Sequence, residues 1–220
     1  MKKTTILSTV VILLFITSTV KAQVSPATGD LPRGGAGIKG GLNLSSMTTD
    51  GNDDKNLKPG FHVGVFNKMP ISEKFAIQTE LLYSGKGIKF DYDESEFADG
   101  ETRFNLNYID LPVKLVFNLA EDFEFQFGPY VSYLVNAELD TDAEVLDFFE
   151  IDSDDEVDRD QFHSFDFGLS AGLAFDLDPL ILGFNYNLGL TPVAKEDESS
   201  HEILGDAKNS VIQVYAAIKF

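Results

Sequence analysis

Residues 123–136 read Phe-Glu-Phe-Gln-Phe-Gly-Pro-Tyr-Val-Ser-Tyr-Leu-Val-Asn. Phe123, Phe125, Phe127, Val131, Tyr133 and Val135 share one parity, while Glu124, Gln126, Gly128, Ser132 and Asn136 take the other. A period of two marks an extended strand, whose successive side chains point to opposite faces. An amphipathic helix would instead space its apolar residues three and four apart. This stretch is therefore a strand with one apolar and one polar face, entered from the turn residues Ala120-Glu121-Asp122.

The same alternation recurs on both sides of it. Upstream it covers about 36–48 (Ile38, Leu42 and Leu44 against Lys39, Gly41, Asn43 and Ser45) and 60–69 (Phe61, Val63 and Val65 against His62 and Gly64). It returns in 75–88 (Phe75, Ile77, Leu81 and Tyr83 against Ala76, Gln78, Glu80 and Ser84) and about 103–118 (Ile109 to Phe117 against Tyr108, Asp110, Lys114 and Asn118). Downstream it covers 162–175, 180–190 and 210–220, the last ending Ile212, Val214, Ala216, Ile218, Phe220 on the apolar parity. Eight strands result. Their connections alternate in length: about 49–59, 89–102, 138–161 and 191–209 are long, while the turns at 70–73, 120–122 and 176–179 are short. In an up-and-down meander every second connection falls at the same end. All long ones therefore share one end, and the short ones share the other with both termini.

A soluble barrel turns its apolar face inward, whereas a membrane barrel turns it to lipid. Here the polar parity is rich in Gly, Ala, Ser and Asn, the small residues expected where eight strands converge on a narrow interior. The apolar parity is nearly free of charge. Its aromatics gather at two heights: Phe75, Phe117, Phe123, Phe175 and Phe220 near the short turns, and Phe61, Tyr83, Tyr133 and Phe165 toward the long connections. Two such rings match the interfacial girdles of outer-membrane barrels. The expected fold is all-β: an eight-stranded antiparallel up-and-down transmembrane β-barrel with short periplasmic turns and four long extracellular loops.

The first residues fit this destination. Lys2 and Lys3 precede an apolar run from Ile6 to Ile16, and Val20-Lys21-Ala22 offers a cleavage site before Gln23. That is the layout of a secretory signal peptide, and the run is short of the about 20 residues of a helical span. The expected organisation is a signal peptide at 1–22, a flexible periplasmic lead-in at 23–35 rich in Gly and Pro, and the barrel at 36–220. Cys is absent, which excludes disulfides and a lipid anchor on cysteine. The formal charge of −19 argues against a nucleic-acid partner, whose phosphates need Lys and Arg. Residues 138–160 concentrate that charge, with twelve Asp or Glu against one Arg.

Several stretches carry a resemblance. They are Gln78-Thr79-Glu80-Leu81-Leu82-Tyr83-Ser84 running to Gly87, Tyr108-Ile109-Asp110-Leu111-Pro112-Val113, Phe127-Gly128-Pro129-Tyr130, Phe167-Gly168-Leu169-Ser170-Ala171-Gly172 and Asn185-Tyr186-Asn187-Leu188-Gly189-Leu190. In this order, with a terminal Phe220, they resemble the PorT-like outer-membrane β-barrel domain family over about residues 36–220. The specificity lies in the ordered set. The resemblance implies an eight-stranded barrel of a Gram-negative outer membrane but no single activity. The protein-secretion role of one member type does not transfer on it, and the acidic third long loop is outside the shared pattern. The resemblance also implies that the terminal aromatic, Phe220, is read by the barrel-assembly machinery.

Few constellations suggest chemistry. Asp152, Asp154, Glu156 and Asp158 offer oxygen ligands at alternate positions, a weak calcium candidate, but Val157 stands where a tight calcium loop needs Gly. The alternative is a solvated acidic loop. His163, Ser164 and Asp166 are the residue types of acyl transfer, yet alternation sends His163 to the face opposite Ser164. No catalytic residue and no cofactor are assigned. The interior-facing charges are Glu80, Asp110, Lys114, Glu124, Asp166 and Lys219. Buried charges must be paired. Glu80 and Lys114 lie at similar height on adjacent strands, so an ion pair between them is expected. The leading functional reading is a monomeric structural or binding barrel in outer-membrane lipid, acting through its outer loops. The alternatives are an accessory subunit of a larger envelope or secretion complex, and a small acyl-transferring enzyme.

Overall fold

The structure, a computed structural model, describes residues 34–48, 57–95, 98–145, 149–156, 162–195 and 205–220. The expected signal peptide, and all of the expected lead-in except Gly34 and Gly35, lie outside the described residues. Nine strands follow one another: β1 (Gly35–Thr48), β2 (Lys58–Pro70), β3 (Phe75–Ser95), β4 (Ala98–Asn118), β5 (Phe123–Val145), β6 (Phe149–Glu156), β7 (Phe165–Asp176), β8 (Leu180–Pro192) and β9 (Lys208–Lys219). Every pairing is antiparallel. β1 pairs with both β2 and β9, and β4 pairs with both β3 and β5, so eight strands close into a barrel with β6 outside the ring.

Accessibility divides the strands by parity. Ile38, Leu42, Phe61, Val63, Val113, Phe127, Phe167, Leu173, Phe184 and Val214 are exposed on the outer wall. Lys39, Asn43, His62, Gln78, Glu80, Asp110, Lys114, Gln126, Ser132, Asn185 and Gln213 are buried inside. This is the inverse of a soluble protein: the large apolar side chains are outside and the charged ones inside. On the outer wall the aromatics meet in two groups. At the short-turn end Phe75 packs edge-on against Phe117, with ring centroids 5.1 Å apart, and Phe123 lies 5.0 Å from Phe175. At the other end Phe61 lies 6.1 Å from Tyr83 and Tyr133 lies 5.3 Å from Phe165.

Small inner residues make room for large ones opposite. A Cβ on Gly168 would come within 2.4 Å of the Tyr130 ring, and one on Gly183 within 2.3 Å of the Tyr215 ring. The wall also carries an irregularity. The partner register of β3 and β4 skips from Thr79↔Val113 to Leu82↔Asp110, and that of β4 and β5 from Pro112↔Tyr130 to Leu115↔Phe127. Pro112 and Pro129 lie in these gaps, and neither has an N–H to donate to a ladder.

Two long connections differ from expectation. The stretch 89–102 is mostly ladder, since β3 runs to Ser95 and β4 starts at Ala98. In 138–161, β5 continues to Val145 and pairs with the additional strand β6. In both stretches the backbone ladder continues while the regular alternation of apolar and polar residues fades.

Candidate functional site

The interior is the place where this sequence concentrates unusual chemistry. It is built as tiers along the barrel. Nearest the short turns, Lys68 of β2 contacts Glu124 of β5 and lies 2.8 Å from Asp176 of β7. Lys219 of β9 reaches both oxygens of Asp176, at 2.7 and 3.0 Å, so four strands are tied across the lumen.

In the next tier Glu80 sits between two lysines. Its Oε2 accepts from Lys39 Nζ at 2.8 Å, and its Oε1 accepts from Lys114 Nζ at 3.0 Å and from Gln78 Nε2 at 2.7 Å. The Lys39 ammonium also lies 3.8 Å from the centroid of Tyr215, whose quadrupole attracts it. Above this tier, Asn43 acts as a hub. Its amide donates to Ser84 Oγ at 3.0 Å and to the Gly85 carbonyl at 2.8 Å, while its oxygen meets His62 Nδ1 at 2.8 Å and Gln213 Nε2 at 3.1 Å.

The upper charged tier centres on Lys86. Its Nζ donates to Asp110 at 2.9 Å and to Ser132 Oγ at 3.0 Å, and lies within 5.0 Å of the Tyr108 and Tyr130 ring centroids. Asp166 accepts from Asn209 at 3.0 Å and from Tyr130 at 3.3 Å. Lys86, Asp110, Pro112 and Tyr130 line part of a small cavity. Across these three tiers five lysines meet five carboxylates. Burial makes an unpaired charge very costly, and a sixth buried lysine, Lys58, donates to the Lys86 carbonyl at 3.4 Å.

The long-loop end is closed by apolar side chains. Met47, Ile88, Phe104, Leu106, Leu134, Phe162 and Val193 form one buried cluster. Phe162 is fully buried, and it bridges to Ala194 from the connection after β8. The His163 N–H donates to the Val193 carbonyl and the Val193 N–H to the Ala207 carbonyl, each at 2.9 Å, which holds these segments over the mouth.

The residues singled out from the sequence fall as follows. Glu80 and Lys114 come together, Asp110 meets Lys86, Glu124 meets Lys68, and Asp166 faces Asn209 and Tyr130. Phe220 is 84% exposed on the outer wall, and its N–H donates to the Ala36 carbonyl at 2.9 Å. Lys68, Lys86 and Asp176 are buried charges beyond those expected from the sequence, and Lys39 is a further one. Counting on by twos from His62, Ser84 and Gly172 reaches the first three, so the signal was present. Asp152, Asp154 and Glu156 occupy alternate positions of β6, opposite Asp142, Asp140 and Glu138. That is a paired strand in place of the expected loop, and alternate residues along a strand stand about 7 Å apart. Asp158 lies outside the described residues.

Several solved structures align with this chain at low identity. The attachment invasion locus protein of Yersinia pestis aligns at 15% identity over 86% of this chain and 99% of its own, with a TM-score of 0.45. Neisserial surface protein A aligns at 12% over 84% and 97%, with a TM-score of 0.42. The outer membrane protein OprG from Pseudomonas aeruginosa aligns at 13% over 87% and 95%, with a TM-score of 0.26. Comparison with curated protein sequences gives no match. The outer membrane protein beta-barrel domain profile matches residues 22–195, most of the closed ring and its lysine–carboxylate interior, and the chain therefore belongs to that family.

Proposed function

We propose that this outer-membrane protein is a closed, non-conducting barrel that acts by binding or structural support through the segments at its long-loop end. The carrying observation is the filled lumen: lysine–carboxylate tiers span it from wall to wall, and the Phe162 cluster covers its mouth. A solute crossing along the axis would have to break several buried ion pairs. Interaction is left to the outward-facing segments. His163 and Ser164 are half-buried at the mouth and Asp166 is engaged with Asn209 and Tyr130, an arrangement that speaks against acyl transfer. The ordered motifs from Gln78 to Leu190 favour the PorT-like branch of the family. Residues 1–22 act as a cleaved signal peptide, so the N-terminus of the mature protein is Gln23. The barrel is a monomer in outer-membrane lipid, delivered by the barrel-assembly machinery.

The test is reconstitution in planar lipid bilayers together with surface labelling of intact cells. Absence of stepwise conductance and labelling of the outer connections are expected. Reproducible channel openings would overturn the closed-barrel reading.

A further inference from the structure

The upper charged tier of the lumen is unbalanced. Lys86 donates to Asp110 Oδ1 at 2.9 Å and stands 4.0 Å from Asp166 Oδ2, so one ammonium faces two carboxylates. All three side chains belong to residues at most 4% exposed. The groups that hydrogen-bond to Asp166, Asn209 and Tyr130, are neutral and leave its charge in place. Lys58 is engaged by the Lys86 carbonyl and forms an ion pair with neither of these carboxylates. A surplus charge buried in this way is costly unless a counter-charge meets it.

The small cavity belongs to this tier. Lys86 and Asp110 line it together with Asn187 of β8 and Gln213 of β9. The Lys86 ammonium is spent on Asp110 Oδ1 and on Ser132 Oγ, which leaves Asp110 Oδ2 as an open acceptor. Gln213 spends its amide N–H on Asn43 Oδ1 at 3.1 Å, which leaves its own oxygen. Asn187 is 8% exposed, and among the described residues its side-chain amide has no hydrogen-bond partner. Buried amides are ordinarily satisfied, and one that is not points to a group that meets it.

We propose that this cavity binds one small monovalent cation of the sodium class, held by oxygens of Asp110, Asn187 and Gln213. Hard cations take carboxylate and side-chain amide oxygens as ligands. One positive charge balances the tier, whereas two would overshoot it. Among the described residues no three carboxylate or imidazole groups converge, so the donor set is too poor in charge for a divalent ion. A water would satisfy the amide but would leave the second carboxylate without a counter-charge. The cation ties β4, β8 and β9 together across the lumen. This site lies inside the barrel and does not depend on what the long-loop end binds.

The experiment uses the full-length protein in phosphatidylcholine vesicles. Urea unfolding is followed by the unheated gel band while NaCl replaces N-methylglucamine chloride at constant ionic strength. Above the dissociation constant, the wild-type folding constant is expected to rise about tenfold per tenfold rise in sodium, the slope for one bound ion. Asp110→Asn would unpair Lys86 and so confuse two effects. Asn187→Leu is cleaner, because Asn187 gives up no hydrogen bond within the protein. It is expected to abolish the sodium dependence, whereas Ser170→Ala, which removes another buried oxygen, keeps it. Absence of a sodium slope in the wild type would overturn the proposal. An equal slope in Asn187→Leu would place the ion elsewhere and overturn the assignment to this cavity. Weakening of Asn187→Leu by the same factor in both salts would mean a bound water only. Loss of the slope in Ser170→Ala as well would reduce the effect to general destabilisation and overturn the site.

Discussion

Glu80 should be the most sensitive single side chain in the barrel interior. It accepts from Lys39 at 2.8 Å and from Lys114 at 3.0 Å, and all three residues are at most 4% exposed. Glu80→Ala strands two buried ammonium groups with no counter-charge on that tier. Removing one partner of a buried pair costs about 3–5 kcal/mol, and here two partners are left behind. Lys114→Ala is milder. It leaves Lys39 and Glu80 as a one-to-one pair, so the loss should be nearer that of a charged hydrogen bond, about 1.5–3 kcal/mol. The triple variant K39M/E80M/K114M should recover much of the loss, because replacing a whole buried ionic group by apolar side chains of similar volume is often neutral. The protein has no Trp, so intrinsic tryptophan fluorescence is not an option. Urea titration in lipid vesicles can be read instead from the unheated gel band, which reports the closed barrel. The ordering of midpoints should be wild type, then Lys114→Ala, then Glu80→Ala. Equal midpoints for the two single variants would refute the bridging role of Glu80, and a triple variant weaker than Glu80→Ala would refute the electrostatic cause.

Gly183→Val should lower the yield of heat-shifted barrel, with overpacking against the Tyr215 ring costing about 1–3 kcal/mol, and G183V/Y215A should restore part of it. Phe162→Ala removes the centre of the apolar cover at a cost of about 3–5 kcal/mol. It should speed protease cleavage at the long-loop end while the gel shift persists, because the ladders below are untouched. Deletion of Phe220 removes both a membrane-interface aromatic and the N–H that donates to Ala36. It should reduce assembled protein in the outer membrane far more than deletion of residues 23–33, as quantified by gel shift of membrane fractions.

Much of the barrel was legible because lipid imposes a strict rule. Ile38 and Lys39, Val113 and Lys114, Phe175 and Asp176 are neighbours in sequence yet sit on opposite sides of the wall. No soluble strand of this composition would bury the lysine and expose the phenylalanine. The outer sheet was not legible, because Asp140, Asp142, Asp152 and Asp154 look like a solvated loop unless their cross-strand partners are known. The Phe162 cover was hidden for another reason. Phe162 and Val193 come from connections far apart in the chain, and no local period links them. The ion pairs were half legible. Parity places a charge inside, but which carboxylate a lysine reaches depends on strand stagger, and Lys39 on β1 finds Glu80 two strands away.

The seam between β1 and β9 has a consequence in time. It joins Gly37↔Lys219 through Thr48↔Lys208, residues at opposite ends of the described barrel, whereas most other seams join strands that follow one another in the chain. Neighbouring hairpins can form within microseconds, but a contact of this sequence separation carries a high loop-closure cost and arrives late. Until it does, the molecule is an open sheet with two bare edges and a lumen of unshielded lysines and carboxylates. Closing the ring is thus the step at which edge protection and charge burial are gained together. A delay there would lengthen the interval of vulnerability to aggregation and proteolysis without changing a single contact in the finished barrel.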